Sequence, residues 1–275
     1  MKYSFFGETM SSKSFIIIGL FFILLLLPFR TMAQEPKGSN TLILKGIEKL
    51  NQSYDQWDKE GFAEALKIFQ ESAETAPHED LALYWKGVAL FYLAIYHLFG
   101  RDQDRDQTQG EVWVDEGIRT LKRAVALNDT SSESYALLGV LQGMKIKMHI
   151  LSALSLGPQV KANRNRALEL NSENPRVHYL TGVSLWFSPE IFGGGTERAL
   201  QHFIQAEALF EKEAGKAKDP FQPRWGYSTC LSFMGDLYSE RKSYEQAKQY
   251  YLKALQVNPK DSLARRGLEN IKELL

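Results

Sequence analysis

The sequence is poor in the features that hold small exported domains or metal sites together. It has one cysteine, Cys230, so no intrachain disulfide forms. Its five histidines, His78, His97, His149, His178 and His202, include no H-E-x-x-H pair and no other spacing that would hold a metal. His178 reads as a structural residue. Neither sign of charge is in surplus, with 33 basic and 33 acidic residues, so no global charge draws the chain to nucleic acid or to an anionic membrane. The longest apolar run, FIIIGLFFILLLLPF at 15–29, has 15 residues. A helix needs ~20 to span a bilayer.

Motifs that carry chemistry also fail on inspection. Asp102, Asp104 and Asp106 imitate the start of a calcium loop, but the required Gly and Glu positions hold Gln107 and Trp113. Gly193, Gly194 and Gly195 precede a predicted helix without a Walker lysine or a preceding strand. They read as a turn, with Thr196 as cap. Cys230 has no motif around it and reads as a small buried residue. No acid, base and nucleophile assemble, so no enzymatic activity, cofactor or metal is expected.

The beginning of the chain does have organisation. Lys13 precedes the apolar run, and Thr31, Met32 and Ala33 follow it, before the polar stretch QEPKGSN. A basic start, a short apolar segment and small residues before a cut describe a secretory signal peptide at 1–33, cleaved between Ala33 and Gln34. An uncleaved anchor is the other reading. Met10 begins a more typical signal than Met1 does. Without 1–33 the chain loses Lys2, Lys13, Arg30 and Glu8, leaving 30 basic and 32 acidic residues. The expected location is outside the inner membrane, in the periplasm or beyond, with membrane contact only through the signal segment.

From 34 to 275 the pattern is helical and repeated. Leu231, Met234, Gly235 and Tyr238 are followed by Ala247, Tyr251, Ala254 and Pro259. The spacing has a physical reason. Gly235, Ala247 and Ala254 let two antiparallel helices approach, larger residues fill the space between them, and Pro259 stops the second helix. This segment resembles the tetratricopeptide repeat family, whose unit is 34 residues long. Degenerate units precede it, marked by Ala65, Phe69 and Pro77, then by Gly87, Gly139 and Gly182, with Ala199, Phe203 and Ala206 beyond the last. The expectation is an all-α superhelix of about five helix pairs. First helices are predicted at 40–56, 79–98, 131–151, 174–187 and 222–240. Second helices are predicted at 60–75, 111–127, 158–170, 196–215 and 243–257. A charged final helix, 261–274, would cap the open end with Leu263, Leu268, Ile271 and Leu275.

Three insertions depart from the family pattern: FGRDQDRDQTQG in unit two, LSLGPQ in unit three and SPEIFGGG in unit four. Each lies between the first and second helix of its unit, so all fall on one edge. Such clustering builds a binding face in some repeat proteins, or it is tolerated drift.

The resemblance also implies an inner groove lined by first-helix positions. Unit one would offer Ile47, Leu50, Tyr54, Trp57 and Asp58, and unit five Thr229, Ser232, Asp236, Ser239 and Glu240. Between them the groove candidates are Tyr84, Phe91 and Tyr92 from unit two and Tyr179, Trp186 and Phe187 from unit four, flanking a small-walled unit three with Ala136 and Gly143. The rings are either a binding surface or core. Except for Arg176, the lysine, asparagine and arginine positions of carboxylate-clamping relatives are aromatic or aliphatic. Two functions fit: a scaffold that holds a protein or peptide partner, or a periplasmic small-molecule binder of a transport system.

Overall fold

The computed structural model describes residues 37–75, 78–214, 221 and 223–275. The predicted signal segment 1–33 with its expected Ala33–Gln34 cut, and Pro77, lie outside the described residues. Met1–Lys37 and Gly38–Leu275 form separate units, and the second holds the fold.

The described residues form eleven α-helices and no strand. They are α1 (Lys37–Gln56), α2 (Lys59–Glu74), α3 (Glu79–Phe99), α4 (Gln107–Leu127), α5 (Ser132–Met148), α6 (Ala153–Leu170), α7 (Pro175–Phe187), α8 (Thr196–Ala214), α9 (Tyr227–Glu240), α10 (Tyr244–Val257) and α11 (Ser262–Ile271). The helices α3 and α4, α5 and α6, α7 and α8, and α9 and α10 pack as pairs, the first helix of each also meets a neighbouring pair, and α11 lies on α9 and α10, while α1 meets α2 through Lys49–Glu64 and Gly46–Phe69.

Local sequence sets the ends. The side chains of Asp106, Ser131, Asn174 and Asp261 accept from backbone amides at the starts of α4, α5, α7 and α11. Of the acidic cluster, Asp104 accepts from Arg101 at 3.1 Å and Asp106 caps α4. Pro175 opens α7, where its missing N–H costs nothing.

The repeat-defining residues behave as close-approach positions. A Cβ on Gly87 would lie 2.6 Å from Leu121, and one on Gly182 would lie 2.7 Å from Phe203. Gly235 meets Tyr251 in the same way. Ala247, Tyr251 and Ala254 are buried, and Pro259 follows the end of α10. Gly139 is looser, with Asn163 at 3.6 Å from the position of a Cβ. The helix α3 is apolar on every side because it is surrounded, and its buried residues run from Ala82 to Ile95.

Two predicted boundaries are corrected. The unit-three stretch LSLGPQ is not a loop, because α6 begins at Ala153 and runs through Pro158. The irregular part is the short turn Ile150–Ser152 before it. The first helix of unit five begins at Tyr227, not at 222. Pro223 and a left-handed Gly226, at φ +107°, hold the preceding segment extended.

Candidate functional site

The inner-face rings are packed away, with a cleft of about 270 Å³ left beside Leu81, Tyr84 and Glu133. Tyr84 is 6% exposed, and Phe91, Tyr92 and Tyr179 are fully buried. They converge on Trp225, a fully buried ring in the extended segment before α9. Its centroid lies 6.3 Å from Phe91, 6.0 Å from Tyr92 and 6.3 Å from Tyr179. The Trp225 indole N–H donates to the Tyr84 hydroxyl at 3.3 Å. The expected open groove is therefore corrected: five of its six aromatic candidates, Tyr84, Phe91, Tyr92, Tyr179 and Phe187, are core, and Trp186 alone is partly exposed. The small-walled gap of unit three is occupied as well. Ala136 is buried, and a Cβ on Gly143 would lie at ordinary contact distance from Ser184 and Phe187 of α7.

Arg176 holds this plug in place. It is 2% exposed and donates to both Glu213 carboxylate oxygens, at 2.8 and 2.7 Å. It also donates to the Pro223 carbonyl at 2.5 Å and lies over Phe210 and Trp225. The bidentate pair, further supported by nearby Glu133, keeps the guanidinium charged despite its desolvation. Trp225 is the structural residue that sequence reasoning missed. The signal was the Pro-Arg-Trp-Gly run at 223–226, a turn-forming stretch around an aromatic ring.

Trp186 parts company with the other five, of which Phe187 is its buried neighbour. Trp186 and Phe187 sit at the C-terminal end of α7, where the insertions emerge. Phe187 stacks on Phe99 at 5.4 Å, and Trp186 stacks on Phe187 at 5.5 Å. Trp186 is half-buried, and its N–H donates to Glu240 at 2.9 Å. The Lys147 ammonium lies over all three rings, 4.7 Å from Phe187, 5.7 Å from Trp186 and 5.8 Å from Phe99. Desolvation there holds it below the ordinary lysine value, against the pull of Glu240 and Asp236.

Beside this stack a cavity of about 540 Å³ opens between units two and three. Leu98, Phe99, Met144 and Met148 give it an apolar wall, and His97, Arg105, Gln107 and Lys147 its polar groups. Desolvation and nearby Lys59 hold the His97 imidazole below its ordinary value, against the pull of Asp106 and Asp104. A second cleft, about 530 Å³, lies between α6 and the unit-four insertion. Both clefts lie beside the ends of first helices and the turns that follow them.

Two histidines that looked isolated in sequence are neighbours, with His178 Nδ1 3.1 Å from His202 Nδ1. His178 also meets the Ser172 carbonyl at 2.8 Å. Desolvation, His178 and Arg164 push His202 down to about 4. Among the described residues no group of three ligating side chains could hold a metal. Cys230 is buried, and burial pushes its thiol well up, away from nucleophilic use.

No protein-family model matches the chain, and no curated protein matches it in sequence. Solved structures do match. TTC0263, a thermophilic tetratricopeptide protein of Thermus thermophilus, is 18% identical, with a TM-score of 0.57 over 84% of this chain and 97% of its own. The HusA haemophore of Porphyromonas gingivalis is 18% identical, with a TM-score of 0.53 over 75% of this chain and 96% of its own. The chain has the tetratricopeptide-repeat fold. In this tetratricopeptide stack the aromatic inner positions of units two and four are spent on a core, except Trp186.

Proposed function

We propose that the chain is an exported, non-catalytic scaffold that holds a protein partner along its insertion edge. One observation carries this reading. The inner face is filled by Trp225 and its ring neighbours, while the insertion edge keeps an open cavity walled by Leu98, Phe99, Met144 and Met148. Methionine adapts its shape to an incoming apolar side chain. Arg105 and Lys147 beside it favour an acidic partner segment, and the half-buried Trp186 extends the contact surface. Tetratricopeptide folds commonly serve protein interaction, which supports this class of partner.

A second reading rests on the same cavity. Its volume, about 540 Å³, falls in the range of small-molecule sites, and an apolar wall with two cations suits a compact organic anion. A haemophore shares the fold, so a small-molecule carrier is compatible with it.

The test is capture from an envelope fraction by the purified protein, with mass spectrometry of proteins, small molecules and the chain's own N-terminus. The N-terminus is expected at Gln34, and residues 10–33 found in the exported protein would overturn the cleavage. Met148→Glu is expected to weaken the captured partner at least tenfold while melting stays unchanged. A normally folded Met148→Glu protein with undiminished binding would remove the cavity from consideration.

A further inference from the structure

The second cleft has a composition unlike the first. Lys161, Arg164 and Arg198 line it with Ala153, Leu154, Gly157, Pro158, Ile191 and Gly193. None of the three cations has an ion-pair partner among the described residues. Arg198 donates only to the Gly193 carbonyl, at 2.9 Å. Desolvation, and then the charge of Arg198, hold Arg164 below the ordinary arginine value. The same positive field reaches His202. The cleft is a local excess of cations in a chain that balances its charges elsewhere.

Around this cleft stand the four most exposed large hydrophobic residues of the described chain: Ile191 at 85%, Leu151 at 82%, Leu154 at 81% and Ile150 at 62%. Ile150 and Leu151 project from the turn Ile150–Ser152, Leu154 from the first turn of α6, and Ile191 from the turn Glu190–Phe192. Both turns are held firmly. Ala153 anchors the first in a small cluster with Ile146 and Val160. In the second, Gly193 at φ +80° closes the turn and Gly195 donates to the Leu185 carbonyl at 3.0 Å. Leaving four aliphatic side chains in water costs solvation free energy, roughly 25 cal/mol per Å² of apolar area. Fixed turns keep them there.

We propose that this lip docks on an anionic phospholipid surface, with Leu151, Leu154 and Ile191 entering the interface and Lys161, Arg164 and Arg198 facing the phosphates. Charge complementarity selects the occupant: cations with no ion-pair partner among the described residues line the same cleft as the exposed Leu154 and Ile191, the pairing of an interfacial anchor. A protein hot spot would be expected to present aromatic rings, and the four exposed tips are all aliphatic. The proposal is independent of the cavity between units two and three.

The single native cysteine is buried, so an introduced surface cysteine can be labelled selectively. Leu151→Cys, Ile191→Cys and a remote control, Leu252→Cys on α10, would each carry an environment-sensitive nitrobenzoxadiazole dye in the otherwise unaltered chain. Local labels report insertion at the lip whatever the N-terminal segment does. Vesicles of equal phosphatidylglycerol and phosphatidylethanolamine should raise emission several-fold and shift it blue at 151 and 191, but not at 252. Vesicles of phosphatidylcholine alone, and inorganic phosphate alone, should do neither. Adding Lys161→Gln and Arg198→Gln should weaken vesicle binding by about tenfold or more, since each cation near an anionic surface contributes about 1 kcal/mol. No response at 151 and 191 to anionic vesicles, with helicity intact, would overturn the proposal. So would an equal response to phosphatidylcholine, which means apolar partitioning alone, or a response to phosphate alone, which means a small-anion site.

Discussion

Trp225 is fully buried against Phe91, Tyr92 and Tyr179, and Arg176 covers it from the side of Pro223. Trp186 stacks on Phe187 but keeps one face towards solvent and gives its N–H to Glu240. The two tryptophans should respond differently to truncation. Trp225→Ala leaves a cavity at the centre of the molecule and should lower the unfolding free energy by about 3–5 kcal/mol. Trp186→Ala loses a stacked pair and a surface hydrogen bond and should cost about 1–2 kcal/mol, leaving a folded protein for binding assays. Urea titration of both variants measures this. Equal losses would mean that Trp186 belongs to the core, and the insertion edge would lose its exposed ring.

The helices were largely legible because their signals are local. Capping residues, Gly87, Gly182 and Gly235, and the spacing of Ala247, Tyr251 and Ala254 lie within one hairpin, and sequence alone places α3, α8 and α10 within a residue or so of their ends. The candidate site was legible only in part. Whether Tyr84 and Tyr179 face a groove or a core depends on how tightly the pairs wind, and a long-range segment, 223–226, decides it. No periodicity within α3 or α7 reports on that segment. The role of α11 is again local and readable. Asp261 accepts from Leu263 and Ala264 at 3.0 and 3.1 Å, and Arg266 pairs with Asp236 at 2.7 Å while donating to the Phe99 carbonyl. Deleting 260–275 uncovers Tyr251 and leaves the buried Asp236 without its cation, so melting temperature should fall and aggregation should rise. A truncated protein with unchanged melting and solubility would contradict the capping role.

A repeat stack in which each pair touches only its neighbours unfolds approximately as a chain of coupled units. This molecule adds contacts between its ends. The Tyr54 hydroxyl of unit one shares a hydrogen bond with the Ser228 hydroxyl at 2.5 Å and accepts from the Ser228 amide at 3.2 Å. The Asn258 side chain donates to the Tyr54 carbonyl at 2.9 Å, and Lys260 reaches Gln56. These bonds join residues 174 to 204 positions apart, across a core in which Tyr54 packs on Tyr92 at 5.3 Å. Burial pushes the Tyr54 phenol up to about 12, so the hydroxyl stays protonated over the whole stable pH range. Because the closing bonds exist only when both ends are folded, unfolding should be cooperative over the whole stack. Helicity and tryptophan fluorescence should follow one urea transition. Tyr54→Phe keeps the ring but leaves the buried Ser228 amide and hydroxyl short of a partner. It should lower stability by about 1–3 kcal/mol without separating the two probes. Two resolved transitions in the unaltered protein, with the C-terminal pairs melting apart from the N-terminal ones, would show that the end-to-end contacts do not couple the stack.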